Sequence, residues 1–98
     1  MKKLLVGLLL LSPSLAMADQ TIVQKGRRFT PGEITIHRGE NLTFTNDDEF
    51  IHQVYVDGLF DSEEKAPGQN LTEGFPNAGT FEVRCHIHPK MKLTVRVN

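Results

Sequence analysis

Residues 81–97 read FEVRCHIHPKMKLTVRV, and they contain two alternating segments joined by a short loop. Apolar residues occupy every second position in both segments, at Phe81, Val83, Cys85, Leu93, Val95 and Val97. This period of two is typical of strands with one buried face. The stretch therefore predicts two strands, with the residues between Cys85 and Met91 forming the loop that joins them.

The same pattern recurs towards the beginning of the chain. Further strands are predicted around residues 21–23, 34–36, 42–45, 51–56 and 71–75. Glycine, proline, asparagine and aspartate separate them, with a turn predicted at 29–32 and an exposed loop at 61–69. No window shows the 3.6-residue period of an amphipathic helix, so the expected fold is an all-β sandwich.

The first 18 residues have the features of a secretory signal peptide. Lys2 and Lys3 precede an apolar run at 4–11, and Ala16 and Ala18 provide the small residues of a cleavage site. The alternative is a transmembrane anchor, but this run is much shorter than the roughly 20 residues needed to cross a bilayer. We therefore predict a cleaved signal peptide at 1–18 and one domain at 19–98, located in the periplasm with no membrane anchor.

Charge and size narrow the function of the mature domain. Without Lys2 and Lys3 it has 9 basic and 12 acidic side chains, which gives a net charge of about −3. The sequence has no extended run of basic residues that could neutralise the phosphates of a nucleic acid, so a nucleic-acid partner is not expected. A domain this small usually needs a disulfide or a metal. Because Cys85 is the only cysteine, a disulfide within the chain is excluded, and an unpaired thiol outside the cytoplasm suggests a metal ligand.

Metal-binding side chains are concentrated in the predicted loop, at Cys85, His88 and Met91. A loop at the end of a sandwich needs only one further ligand from elsewhere, and His52 is the best candidate. A thiolate, two imidazoles and a weakly bound thioether form the trigonal site that suits copper in electron transfer. Taken singly, Cys85, Met91 and His52 could each be core residues. The regular spacing favours ligands at Cys85 and Met91, and no other histidine is as well placed as His52.

The mature region resembles the cupredoxins of the plastocyanin and amicyanin group. The shared motifs are Phe29-x-Pro31, Ile34-x-Ile36-x-x-Gly39, Leu42-x-Phe44-x-Asn46-x-Asp48, His52-x-Val54, Gly79-x-Phe81-x-x-x-Cys85-x-x-His88-x-x-Met91 and Val95-x-Val97. The resemblance implies a Greek-key sandwich of about eight strands and one type 1 copper ion. It also implies equatorial ligands at His52, Cys85 and His88, and an axial ligand at Met91.

Two residues depart from the pattern of this family. Gln53 follows the first histidine where asparagine is usual. The backbone N–H that bonds the ligand sulfur is unaffected by this change. The change does alter the side chain that would link the two ligand loops by a hydrogen bond. His86 directly follows the cysteine, where smaller residues are common. It adds a third imidazole near the expected copper, and either surface exposure or metal contact is open to it.

Three functions remain in view. The first is a monomeric electron carrier that exchanges electrons with a c-type cytochrome or a periplasmic dehydrogenase, as the resemblance implies. The second, suggested by His86, is a copper-binding protein for copper tolerance or delivery. The third is a small copper enzyme, which we do not expect, since Met91 leaves no open position for a substrate.

The remaining charged residues and His37 are expected at the surface. Six acidic residues suggest either a solvated surface or a docking patch for a basic partner, namely Asp47, Asp48, Glu49, Asp61, Glu63 and Glu64. Lys90 and Lys92 flank the predicted ligand loop and would face an acidic partner instead.

Overall fold

The computed structural model describes residues 19–98, which form two β-sheets. The strands are β1 (Gln20–Gln24), β2 (Phe29–Thr30), β3 (Glu33–Ile36), β4 (Asn41–Asn46), β5 (Tyr55–Val56), β6 (Phe60–Asp61), β7 (Asn70–Gly74), β8 (Gly79–Arg84) and β9 (Lys92–Val97). The all-β sandwich is confirmed, with nine described strands where about eight were expected. The predicted signal peptide, residues 1–18, lies outside the described residues.

The two sheets have the strand orders β2-β1-β4-β7 and β3-β9-β8-β5-β6. The chain passes repeatedly from one sheet to the other, so strands distant in sequence become neighbours. Two of these neighbouring pairs are parallel, β1 with β4 and β3 with β9. The strand pattern alone could not predict this pairing, because alternation reveals which face is buried and not which strand lies alongside.

The core lies between the sheets and is formed by the apolar positions of the alternating segments. Ile22 and Phe44 come from one sheet, Val83 and Val95 come from the other, and all four are at most 1% exposed. Burial of each such side chain contributes about 1.5–3 kcal/mol to folding. The inward residues of β8 and β9 therefore hold the two strands that carry the 85–91 loop.

Some predicted boundaries were wrong. Phe29 and Thr30, expected in a turn, pair with β1 as strand β2, and Phe29 is buried. The strand expected at 51–56 is reduced to Tyr55 and Val56. Asp61, expected as the first residue of the loop at 61–69, belongs to β6, and Lys65 within that loop forms a backbone bridge with His52. These short pairings depend on contacts with distant segments, which local propensity does not report.

The 85–91 loop closes a β-hairpin at one end of the sandwich. Strands β8 and β9 pair antiparallel up to Arg84 and Lys92, so the loop begins and ends at a fixed position. The N–H of Met91 donates to the carbonyl of His88 at 2.9 Å, and the Arg84 guanidinium donates to the carbonyl of Pro89 at 3.1 Å. Among residues 19–98 we find no helix long and apolar enough to cross a membrane.

Candidate metal centre

Three metal-binding atoms converge at this end of the sandwich. The Sγ atom of Cys85 lies 3.9 Å from Nδ1 of His52 and 3.9 Å from Nδ1 of His88. The two Nδ1 atoms are 3.1 Å apart. In the part of the chain that the structure describes, these residues form the one cluster of histidine, cysteine and carboxylate side chains suited to a metal. The structure thus brings together three of the four predicted site residues as a triangle of donor atoms.

The size of this triangle suits a metal ion. A point in its plane lies about 2.1 Å from all three atoms, which is close to ordinary metal–nitrogen and metal–sulfur bond lengths. One thiolate with two imidazoles in a trigonal arrangement is the equatorial donor set of blue copper sites. The donors present therefore fit one copper ion.

Met91, the fourth predicted site residue, lies at the end of the loop just before β9. It is 1% exposed and contributes to the core, and it also lines a surface groove together with His88. Its backbone hydrogen bond to His88 fixes it within the loop. Its place is consistent with the predicted axial position, and its role as a ligand remains a prediction.

The segment around His52 is held by backbone contacts. His52 is fully buried, and its N–H and carbonyl pair with the carbonyl and N–H of Lys65 at 3.1 and 2.7 Å. The next residue, Gln53, donates its backbone N–H to the Cys85 sulfur at 3.3 Å. A donor at this distance stabilises a thiolate. The backbone donor expected at Gln53 is thus present, because the substitution changes only the side chain.

Asp48 binds the second ring nitrogen of His52, with Oδ2 2.9 Å from Nε2. An acceptor here favours the tautomer with its proton on Nε2, which leaves Nδ1 free to bind a metal. Burial raises the pKa of Asp48, but hydrogen bonds from the Arg27 backbone, His52 and two further backbone N–H groups outweigh it. The pKa consequently falls to about 2. The prediction of Asp48 as a surface residue was therefore wrong, because its side chain is only 9% exposed.

Asn46 is a second residue whose role the sequence did not reveal. It is fully buried at the end of β4, and its amide nitrogen donates to the carbonyls of Phe50 and Lys65, both at 2.8 Å. Its oxygen accepts the N–H of Asp48 at 2.9 Å. One amide thus joins the two segments on either side of His52. The one feature of the sequence that could have indicated this role is that a polar residue, Asn46, continues the inward-facing positions of Leu42 and Phe44.

His88 differs from His52 in its surroundings, since it is only partly buried. Burial lowers its pKa below the usual 6.5, and the nearby His52 and Arg27 lower it further. It therefore stays neutral, and available to a metal, over a wider pH range. Its ring meets that of Phe50 edge to face, with 6.1 Å between the ring centroids.

His86 is not part of the donor cluster in the described residues. Its ring stacks on Tyr55 with 3.7 Å between centroids and 3° between planes. Its Nε2 lies 3.1 Å from Oδ2 of Asp61, and both side chains are about half exposed. Of the two alternatives open to His86, the structure favours surface exposure. His37 is also exposed, as predicted.

Comparisons with known proteins agree with this geometry. Plastocyanin of Scenedesmus fuscus is 30% identical in an alignment 87 residues long, and the match covers 70% of this chain and 85% of that protein. A solved structure of a reduced amicyanin mutant gives a TM-score of 0.78 at 21% identity, covering 86% of both chains. A purple cupredoxin from Nitrosopumilus maritimus gives 0.76 at 22% identity, covering 81% of this chain and 99% of that one.

At these identities the two solved structures establish the fold. The profile of the family described as Cupredoxin-like domain matches residues 3–97, which is nearly the whole sequence. The plastocyanin match spans most of that relative and is independent of the structural comparison. With the fold, the family profile and a homologous sequence in agreement, the chain belongs to the cupredoxin-like family.

Proposed function

We propose that this protein is a periplasmic one-electron carrier that holds one copper ion. His52, Cys85 and His88 would bind the ion in the equatorial plane, with Met91 as the axial ligand. The observation that carries the proposal is the triangle of one sulfur and two Nδ1 atoms around a point about 2.1 Å from each. When bound, copper supplies the one-electron chemistry by changing between Cu(II) and Cu(I).

The protein's own residues hold the donors in place for this exchange. The N–H of Gln53 holds the Cys85 sulfur, and Asp48 fixes the ring of His52. His52, Cys85 and Met91 are all buried. A donor set that stays in place needs little rearrangement when one electron enters or leaves. This property suits a carrier better than a catalyst, which requires an open position for its substrate.

His88 provides the route by which the electron reaches the surface. It is the only partly exposed residue of the donor triangle. Three exposed apolar side chains lie in the two segments that carry the donors, namely Phe50, Ile51 and Ile87. A small apolar contact area suits the weak and brief encounters of redox proteins. We expect a partner such as a c-type cytochrome or a periplasmic dehydrogenase to approach here, with the carrier acting as a monomer.

The first residues of the chain support the proposed periplasmic location. A charged start, an apolar run at 4–11 and small residues at Ala16 and Ala18 support cleavage of a signal peptide after residue 18. The mature domain would then be residues 19–98. Mass spectrometry of the protein recovered from the periplasm should give a first residue of Asp19, and an uncleaved chain in the membrane would contradict this location.

Copper delivery is the alternative function, and His86 was the reason to consider it. The pairing of His86 with Asp61 and its stacking on Tyr55 give this imidazole other partners. That arrangement supports the carrier over a transfer route through His86.

Copper-loaded protein tests the proposal. Visible and EPR spectra of residues 19–98 with Cu(II) should show an intense thiolate-to-copper band. This band should be lost in Cys85→Ser and retained in the control His86→Ala. The loaded protein should also exchange electrons rapidly with a cytochrome c. A wild-type protein without the band, or a loaded protein that exchanges slowly with every cytochrome tested, would contradict the proposal.

A further inference from the structure

A groove opens at the surface beside His88, the proposed point of electron exchange. Its volume is about 470 Å³, and it is lined by Arg27, Ile87, His88, Pro89, Lys90 and Met91. Both charged lining residues, Arg27 and Lys90, are basic, and among residues 19–98 no carboxylate lines the groove. The groove therefore combines an apolar floor with a positive rim, in a mature chain whose net charge is about −3.

Arg27 is held at this rim by an unusual backbone conformation. Strands β1 and β2 are joined through Gly26 and Arg27, with both backbone hydrogen bonds between Lys25 and Arg28 formed. Gly26 has φ 63° and Arg27 has φ 55°, so the connection is a type I′ turn. That turn favours asparagine, aspartate or glycine at these positions, and an arginine there costs free energy. A strained conformation is a reason to look for a function of the residue.

The turn places both ends of Arg27 against the proposed site. Its guanidinium lies over the Phe50 ring, 4.2 Å from the centroid, and Phe50 in turn meets His88 edge to face. Its backbone N–H donates to Asp48 at 2.8 Å. The Asp48 carboxylate is thus bound to the Arg27 backbone and to His52, and the Arg27 guanidinium lines the groove.

The other acidic residues near these segments do not line the groove. Asp61 pairs with His86, and Glu82 pairs with Arg84, on the second sheet. Asp47 and Glu49 precede Phe50 in sequence, but neither lines the groove. The charged residues of the groove lining are therefore Arg27 and Lys90, and the nearby Asp48 carboxylate is engaged by the backbone and by His52.

We propose that this groove docks a redox partner whose own exchange face carries carboxylates around an apolar centre. Complementary charge of this kind increases the rate of encounter and orients the partner. Ile87 and Pro89 would contact the apolar centre, and Arg27 and Lys90 would face the carboxylates. The inference rests on the proposed function, because it takes His88 as the point of exchange.

Two small oxidants of opposite charge test whether the electrostatic potential at the groove is positive. Reduced protein gives one electron to hexacyanoferrate(III), a trianion, or to tris(phenanthroline)cobalt(III), a trication, and no bond or proton is transferred. The trianion should react more slowly as ionic strength rises, despite the negative net charge of the protein. Replacing both groove charges (Arg27→Asn with Lys90→Gln) should slow the trianion about tenfold at low ionic strength and accelerate the trication. Asparagine at 27 also tolerates the left-handed turn.

Arg96→Gln is the matched control, because Arg96 is similarly exposed but pairs with Glu33 on β3. It should leave both rates within about twofold, since Arg96 does not line the groove and the effect of a charge falls with distance. A wild-type trianion rate that rises with ionic strength would overturn the inference. Equal losses in the control and the double variant, or equal losses with both oxidants, would also overturn it.

An NMR titration separates this inference from the proposed function. Hexacyanocobaltate(III) is a redox-inert trianion, and it should shift the amide signals of Arg27, Ile87, His88 and Lys90 in the reduced or metal-free protein. If the protein takes up no copper, the proposed function fails while this titration still tests the groove. If copper is bound and reacts with both oxidants but the trianion leaves these amides unshifted, the docking inference fails and the carrier function stands.

Discussion

His52 and His88 supply the same ring atom to the same candidate site, yet their surroundings are opposite. His52 is fully buried, its second nitrogen bonds Asp48, and its backbone bridges Lys65. His88 lies in the hairpin loop, partly exposed at the edge of the groove. The comparison shows a division of roles, in which one imidazole is fixed by the fold and the other meets the surface.

Copper should have the largest effect, because it joins both histidines to Cys85. Binding to the folded state alone adds about 4 kcal/mol to the free energy of unfolding at a thousandfold excess over Kd. For a domain of this size we expect the melting temperature to rise by about 15 °C or more. Calorimetry with and without copper checks this, with Cys85→Ser as the control that should gain little. Equal melting temperatures for loaded and metal-free wild type would contradict it.

Removing each histidine in turn tests the division directly in the metal-free protein. His52→Ala should lower the free energy of unfolding by about 3 kcal/mol, because it leaves a cavity and removes the side-chain partner of Asp48. His88→Ala should cost about 1 kcal/mol or less, because its ring is partly exposed. Urea unfolding followed by circular dichroism measures both. Equal losses would show that the two imidazoles are held alike.

The contact between Asp48 and His52 should matter for metal affinity as well as for stability. Asp48→Asn should weaken copper binding by about 10–100-fold, since carboxylates behind ligating histidines orient the ring and raise its basicity. Glu49→Gln is the matched control, because it removes an exposed charge next to Asp48. Competitive titration with a chelator gives both affinities. A loss in the control equal to that in Asp48→Asn would assign the effect to surface charge.

Acid should lower the free energy of unfolding of the metal-free protein, because Asp48 and His88 both take up protons. The pKa of Asp48 is about 2 in the fold and 3.8 as an ordinary carboxyl. Its contribution to stability is therefore complete above about pH 3.8 and is lost as the pH falls towards 2; with solvent screening it is on the order of 1 kcal/mol. The lowered pKa of His88 adds a loss as the pH falls through 6.5.

Urea midpoints measured from neutral pH down to about pH 2 test this dependence. The wild type should lose stability most steeply in the acidic range where Asp48 takes up its proton. Asp48→Asn should show a shallower loss there, while the smaller change near pH 6.5 should remain. Identical slopes in the two proteins below about pH 4 would remove Asp48 from this account.

The smallest effect on the free energy of unfolding is expected at His86, which does not belong to the donor triangle. His86→Ala breaks an exposed pair with Asp61 and a stack on Tyr55, and should cost about 0.5 kcal/mol or less. The visible spectrum of the copper-loaded variant should be unchanged. A shifted spectrum would place His86 in contact with the metal site.

The sequence predicted the parts of the molecule that depend on local pattern. Alternation over 81–97 gave the β8–β9 hairpin, and the spacing of Cys85 and His88 gave two of the three clustered donors. It could not predict that Phe29 pairs in a strand or that β1 and β4 run parallel, since both depend on distant partners.

The residues that support the site were also hidden from the sequence. Asp48 looked like one of several surface acids, and its burial depends on the return of Lys65 and on the amide of Asn46. Arg27 carried no signal, because Gly26-Arg27 is an unusual sequence for the turn that it forms. Local chemistry therefore indicated the proposed ligands, whereas their supports required the fold.

Anomalous diffraction at the copper edge, from crystals of copper-loaded protein, tests the central claim most directly. We predict one strong peak about 2.1 Å from Sγ of Cys85 and from Nδ1 of both His52 and His88. A peak beside His86 and Asp61 with none in the triangle, or crystals of loaded protein with no peak at all, would contradict it.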